Sequence, residues 1–207
     1  MTIPVSPSHS GASRFGWRAS APIVVVAIAL CGCSINLGSL SSEPDNAAPK
    51  AASSASAGDA QTAATHAQAL LRAGKPEEAL AEFDRAIALD PYNAQALYGR
   101  GLLYQGNKQH QLAIDDFTAA SGLTPQQAEP LLGRAVSYLA LDKVTQAAAD
   151  LDEAAQADPQ NGQIWTTRGL AYERLGDKPK AAASYGRAIA IRPRDEAARS
   201  GLARVGG

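Results

Sequence analysis

Along residues 60–193, small and apolar residues recur at spacings of three and four with polar residues between them. That is the period of amphipathic helices, not of strands. Four of these runs end in proline, at Pro91, Pro125, Pro159 and Pro193, each 34 residues after the one before. Proline cannot continue a helix and holds the preceding residue in extended backbone, so helices are predicted to stop at Asp90, Thr124, Asp158 and Arg192. The stretch 74–91, G-K-P-E-E-A-L-A-E-F-D-R-A-I-A-L-D-P, carries both a start and a stop signal. Pro76 falls in a first turn, where a missing N–H costs nothing. The pattern predicts helices over 76–89, 111–123, 145–157 and 179–191.

Aligned on their prolines, the four units share columns. Ala79, Ala113, Ala147 and Ala181 form one, and Ala86, Ala120, Ala154 and Ala188 another. Between them stand the larger Phe83, Phe117, Leu151 and Tyr185. Small residues admit a neighbouring backbone and the large one fills the gap between helices. A second set of columns precedes each of these helices: Ala67, Gly101, Ala135 and Gly169 are small, Tyr104, Tyr138 and Tyr172 follow with Leu70 in the first unit, and Ala63, Leu97, Leu131 and Trp165 stand near the helix starts. Each unit is therefore a helix pair, with Gly74 and Gly176 closing two of the turns. A fixed period of this size means a repeat array, whose extended surface serves mainly to bind another protein. Residues 194–207 predict one more helix, with Ala198, Leu202 and Val205 on one face, covering the last apolar surface.

These columns resemble the tetratricopeptide repeat family over residues 60–193. The resemblance implies an all-α, right-handed α-solenoid of four helix-turn-helix units, at about 60–93, 94–127, 128–161 and 162–193, with residues 194–207 as capping helix and tail. It implies that the first helix of each pair lines a concave groove. Carried over position by position, the partner-facing residues are Gln68 and Leu71; Gln95, Tyr98 and Leu102; Glu129, Leu132, Val136 and Leu139; and Gln163, Thr166, Leu170 and Glu173. That set is mostly apolar and neutral, which suits a helix or an apolar-rich extended peptide. The alternative is that part of this surface packs on the chain's own tether or on a second copy. The sequence departs from the family at Arg100, Arg134 and Arg168, where an apolar residue is usual. The column reads either as a polar ladder for an acidic ligand or as arginines laid on the packing and paired with acids such as Asp116 or Asp150.

Composition narrows the function. The chain has 207 residues, 45% of them hydrophobic but only 5% aromatic, and a net charge of −1. That balance argues against a nucleic-acid partner. His66 and His110 lie in different units without companion ligands, and His9 lies in the leader, so no metal site is expected. The pairs Asp115/Asp116 and Asp150/Asp152 are expected to be acids of a solvated helix face rather than a catalytic pair. No nucleophile elbow, phosphate loop or zinc motif occurs. An enzyme is not expected, nor any cofactor.

The amino terminus reads as an address. Arg14 and Arg18 precede an apolar run at residues 23–30, too short for a stable span, which needs roughly 20 residues. Leu30-Cys31-Gly32-Cys33 then resembles the bacterial lipobox. The resemblance implies cleavage of a signal peptide, residues 1–32, lipidation of Cys33, and, with Ser34 next, sorting to the outer membrane. Residues 33–59, rich in Ser, Ala and Pro, are expected to be a disordered tether. The expected protein is a lipid-anchored, periplasm-facing scaffold that binds a protein or peptide partner and supports assembly of a cell-envelope complex such as a pilus, secretion or cell-wall machine. The alternative is a structural envelope protein that fills its groove with a second copy as a homo-oligomer.

Overall fold

The computed structural model describes residues 48–206, with side chains from residue 56 onward. The leader, Cys33 and the first part of the expected tether lie outside the described residues. Among the described residues the protein is nine helices without a strand: α1 (Ala48–Arg72), α2 (Pro76–Leu89), α3 (Ala94–Gly106), α4 (His110–Leu123), α5 (Ala128–Ala140), α6 (Val144–Ala157), α7 (Gly162–Arg174), α8 (Lys178–Ile191) and α9 (Glu196–Val205). The pairs α1–α2, α3–α4, α5–α6 and α7–α8 are the four units, and α9 closes the end.

Local chemistry sets the boundaries. The residues before the prolines leave the α region as expected, Asp90 at φ −143° and ψ 98° and Thr124 at φ −130° and ψ 66°. Asn93, Asn161, Asp177 and Asp195 then cap α3, α7, α8 and α9 by accepting bonds from backbone N–H groups. The second helices of the last three units start one residue before the predicted position, at His110, Val144 and Lys178. Gly74 and Gly176 turn with φ of 74° and 77°, but in the middle units the same left-handed position is filled by Lys108 and Asp142, both at φ 60°. Two turns therefore carry a side chain where glycine is favoured.

Packing follows the columns. Phe83, Phe117, Leu151 and Tyr185 are fully or almost fully buried, as are the alanines that flank them. Each large side chain lies sixteen positions before a small residue of the following unit or cap: Gly99, Gly133, Thr167 and Gly201. A Cβ added at Gly99 would lie 2.2 Å from the Phe83 ring, at Gly133 2.7 Å from Phe117, and at Gly201 2.2 Å from Tyr185. The rings press directly on helix backbone, and this contact joins one unit to the next.

The odd-numbered helices touch one another in series, α1 to α3, α3 to α5, α5 to α7 and α7 to α9, whereas the even-numbered helices do not. The array therefore curves with the odd helices on its inner side. One expectation is corrected here. α1 begins at Ala48, inside the segment expected to be a disordered tether. Its added turns are largely alanine and serine, and they extend a helix whose Ala60, Ala63, Ala64 and Ala67 are already buried against the first unit. Propagation from an existing nucleus is inexpensive where a separate alanine-rich helix would be marginal.

Candidate partner-binding site on the inner face

Four positions on each odd helix face the inner side, and the structure treats them differently. At the first, Gln61 Nε2 donates to Gln95 Oε1 at 2.6 Å across α1 and α3, while Glu129 and Gln163 continue the column exposed. At the second, Tyr98 is half-buried with its ring 5.8 Å from that of Phe117. Burial, reinforced by the Glu129 carboxylate, raises its phenol pKa. Leu132 continues that column, half-buried on the core. At the third, Leu102 and Leu170 are 38% and 40% exposed, with half-buried Gln68 and Val136 in the same column. These leucines are apolar surface that the fold itself leaves uncovered.

The fourth position is packing, which corrects part of the expected groove. Leu139 is buried in the core at 8% exposure and offers nothing to a partner. Leu71 packs on the core of the first unit. Gln105, which the carry-over omitted, donates from Nε2 to the carbonyl of Gly133 and to the buried Ser137 hydroxyl, both at 2.8 Å. Glu173 accepts from Tyr185 Oη at 2.6 Å and from Arg204 Nε and Nη2 at 2.6 and 2.9 Å. The Arg204 bonds hold its pKa below the usual carboxylate value against some desolvation, with Tyr185 adding to the same effect. Thr166, at the second position of α7, donates to Asp195 at 2.7 Å, and Arg192 also bonds Asp195. The cap thus engages two of the four inner-face positions of the fourth unit, Thr166 and Glu173, and leaves Gln163 and Leu170 exposed. Alignment of the units could not show this, because Asp195 and Arg204, which engage Thr166 and Glu173, come from beyond the last repeat.

The arginine column is a set of clasps. Arg100 makes a two-pronged pair with Asp116, both bonds 2.8 Å, and reaches Asp84 at 2.8 Å. Arg134 makes the same pair with Asp150 and turns Nη1 to Thr118. Arg168 binds Asp152 and Ser184, each at 2.7 Å, and lies over the Tyr172 ring at 4.8 Å. Each arginine therefore reaches sixteen positions back and sixteen forward, tying the second helices of consecutive units together. The guanidinium pKa of Arg100 is raised by its bonds to Asp116, and that of Arg134 by Asp150, both against desolvation. With their donors committed and their side chains 16–22% exposed, the three are stacking residues rather than a ladder for an acidic ligand. His66 fills the column in the first unit and meets Glu82 only at 3.7 Å.

What remains open is a depression of about 770 Å³ at the start of α3 and α5. Gln95, Tyr98 and Glu129 were expected to face it. Gln61, Asp90, Tyr92 and Gln127 complete it, with Ala57 of the extended α1 as part of one wall. Gln61 could have been found, since it stands 34 residues before Gln95; Tyr92, 77% exposed just after a helix-ending proline, carries no such signal. Among the described residues no Lys, Arg or His lines the depression. The groups present are hydrogen-bonding amides, two carboxylates, two phenol rings and the Thr124 hydroxyl, which donates to the Ala120 carbonyl at 2.9 Å. Among the described residues no group of three or more His, Cys, Asp or Glu is arranged to hold a metal.

A helix-pair array with this period, small-residue columns and a curved inner face defines a repeat scaffold. A model of the tetratricopeptide repeat family matches residues 64–128 and 132–203, more than half of the chain, and the chain belongs to that family. No curated protein matches it in sequence. Among solved structures it resembles the TPR domain of Arabidopsis OM64, with 27% identity, 54% of this chain and 93% of that one covered, and a TM-score of 0.53. It also resembles the first TPR of Spaghetti (RPAP3) bound to the HSP90 peptide SRMEEVD, with 24% identity, coverage of 56% and 93%, and a TM-score of 0.55. YrrB, described as a TPR protein with an unusual peptide-binding site, matches over 71% of this chain and 76% of its own, with 21% identity and a TM-score of 0.65. The fold of this family is commonly a non-enzymatic scaffold that binds peptides or proteins.

Proposed function

We propose that this protein is a lipid-anchored scaffold that captures a protein partner along the inner face of its array and holds it at the bacterial envelope. The observation that carries the binding reading is the open depression at the start of α3 and α5, together with the uncovered Leu102 and Leu170 on the same curved side. An extended segment suits it: peptide groups bond to the glutamine side chains, and apolar side chains cover the leucines. The peptide in the Spaghetti complex, SRMEEVD, is rich in carboxylates. Among the described residues the depression has no cation to receive such a peptide, so a partner of different charge is called for.

Anchoring rests on the lipobox-like Leu30-Cys31-Gly32-Cys33. A lipid at Cys33, periplasm-facing and on the outer membrane in this reading, confines the groove to a layer near the membrane. The work done there is assembly or recruitment of an envelope complex. Two substitutions test the two halves separately. Leu102→Glu with Leu170→Glu is expected to abolish the cross-linked partner while leaving the protein in the membrane fraction. Cys33→Ser is expected to release the protein from membranes. Membrane association of Cys33→Ser that still needs detergent for release would remove the anchor, and an unchanged partner with both leucines replaced would remove the groove.

A further inference from the structure

We infer that the partner enters the depression with a basic, arginine-bearing extended segment, a conclusion that rests on the inner face being the peptide-binding surface. Charge complementarity selects this occupant. Asp90 and Glu129 both line the depression, and among the described residues neither has a basic partner, although ion pairs are common elsewhere on this surface. Asp90 spends one oxygen on the N–H of Tyr92 at 3.0 Å. Two helix N-termini also open here, and these favour anions by about half a charge each. The side chain of Asn93 already accepts from Ala96 N–H at the start of α3. At α5, Gln127 makes no capping bond, and Glu129 sits in the first turn. Two full carboxylates against two half-positive helix ends leave the depression net negative.

The aromatic groups select within the cations. Tyr92 stands exposed at the rim, and Tyr98 presents a half-buried ring backed by Phe117. A guanidinium satisfies both features, because it stacks flat on a phenol ring while its edge bonds a carboxylate in two prongs. An ammonium gains the charge but not the stacking geometry. The bonded pair Gln61 and Gln95 keeps further donor and acceptor capacity for the main chain of the segment.

The test is fluorescence anisotropy of the full-length protein in detergent with labelled peptides of sequence acetyl-AARARAA-amide, its lysine counterpart, and a counterpart with both arginines replaced by glutamate. Saturable binding of the arginine peptide is expected, with the lysine peptide weaker and the glutamate peptide weaker by about tenfold or more. Asp90→Asn with Glu129→Gln should weaken the arginine peptide by about the same factor, and Tyr92→Ala, which leaves the core intact, should remove its advantage over lysine. Raising salt from about 50 to about 500 mM should also weaken binding. Equal binding of the glutamate peptide, absence of binding, or unchanged affinity in the Asp90/Glu129 variant would overturn the proposal. So would a concentration-dependent mass of the protein alone that Asp90→Asn with Glu129→Gln abolishes, which would assign the depression to a second copy. If the cellular cross-link lost on replacing Leu102 and Leu170 survives Asp90→Asn with Glu129→Gln, the groove stands and only the basic segment falls.

Discussion

The contact between consecutive units makes its strongest prediction at Phe117. The ring is completely buried between two helix backbones, with a Cβ at Gly101 placed 2.8 Å and one at Gly133 2.7 Å from its atoms. The next junction solves the same problem differently: Leu151 stands sixteen positions before Thr167, where the other large residues stand sixteen before a glycine. The chain thus contains its own compensated pair. Phe117→Leu alone should cost about 1 kcal/mol, since it leaves a gap that helix backbone cannot close. Gly133→Thr alone should cost about 1–3 kcal/mol from overpacking against the ring, less a few tenths regained from helix propensity. Together they reproduce the Leu151–Thr167 pairing and should cost only about 1 kcal/mol, a favourable coupling of about 1–3 kcal/mol. Urea denaturation of wild type, both single variants and the double variant, followed by far-ultraviolet circular dichroism, gives the cycle. The slopes need comparison as well, because a weakened junction lets a repeat array unfold in parts. Additivity within about 0.5 kcal/mol would refute the account of the junction.

Other consequences follow from the turns, the clasps and the cap. His66→Arg should complete the clasp with Glu82, whose Oε2 is buried without a hydrogen-bond partner though Arg85 lies 3.5 Å away, and raise stability by about 1 kcal/mol in urea titrations. Lys108→Gly should stabilise by about 0.5–1 kcal/mol, because relief of the left-handed turn exceeds the added entropy of the unfolded chain; a lower melting temperature would contradict this. Ending the chain at Pro193 should lower the melting temperature, since it uncovers Tyr185 and frees Glu173; an unchanged melting curve would refute the cap. The cap should also loosen first in acid. Glu173 titrates below its ordinary 4.5 through Arg204, and Asp195 below its ordinary 3.8, where bonds from Thr166 and the α9 backbone with the Arg192 charge outweigh desolvation. Carboxylates depressed in the folded state stabilise it above their unfolded values and lose that contribution as pH falls through the folded ones. The protection of α9 against hydrogen exchange, corrected for the intrinsic rate, should therefore fall relative to that of α5 as pH drops from neutral to about 4.

Much of the architecture was legible because each unit repeats the same local solution. The prolines located the helix ends, and the columns of Ala79 and Phe83 identified the packing face without any knowledge of neighbours. The arginine clasps were half legible: acids near Arg100 and Arg134 were visible, and Asp116 and Asp150 are the partners. The reach from Arg100 back to Asp84 needed the stacking of consecutive units. The start of α1 at Ala48 was hidden, because an alanine- and serine-rich segment has the composition of a tether and becomes helical as the continuation of a packed helix. The site was less legible than the fold. A groove that read as apolar and neutral holds an acidic, tyrosine-lined depression, because Asp90 and Tyr92 come from a loop that unit-by-unit comparison of helices passes over. Thr166 and Glu173 read as partner-facing because Asp195 and Arg204, which engage them, lie beyond the last repeat.

The most direct test of the account is photo-cross-linking in cells from a photoreactive amino acid placed at Leu102, on the inner face, and in a separate strain at Leu112, exposed on α4. The account predicts a discrete cross-linked species from position 102 and none from position 112. Cross-linking from position 112 alone, or from neither position, would contradict it.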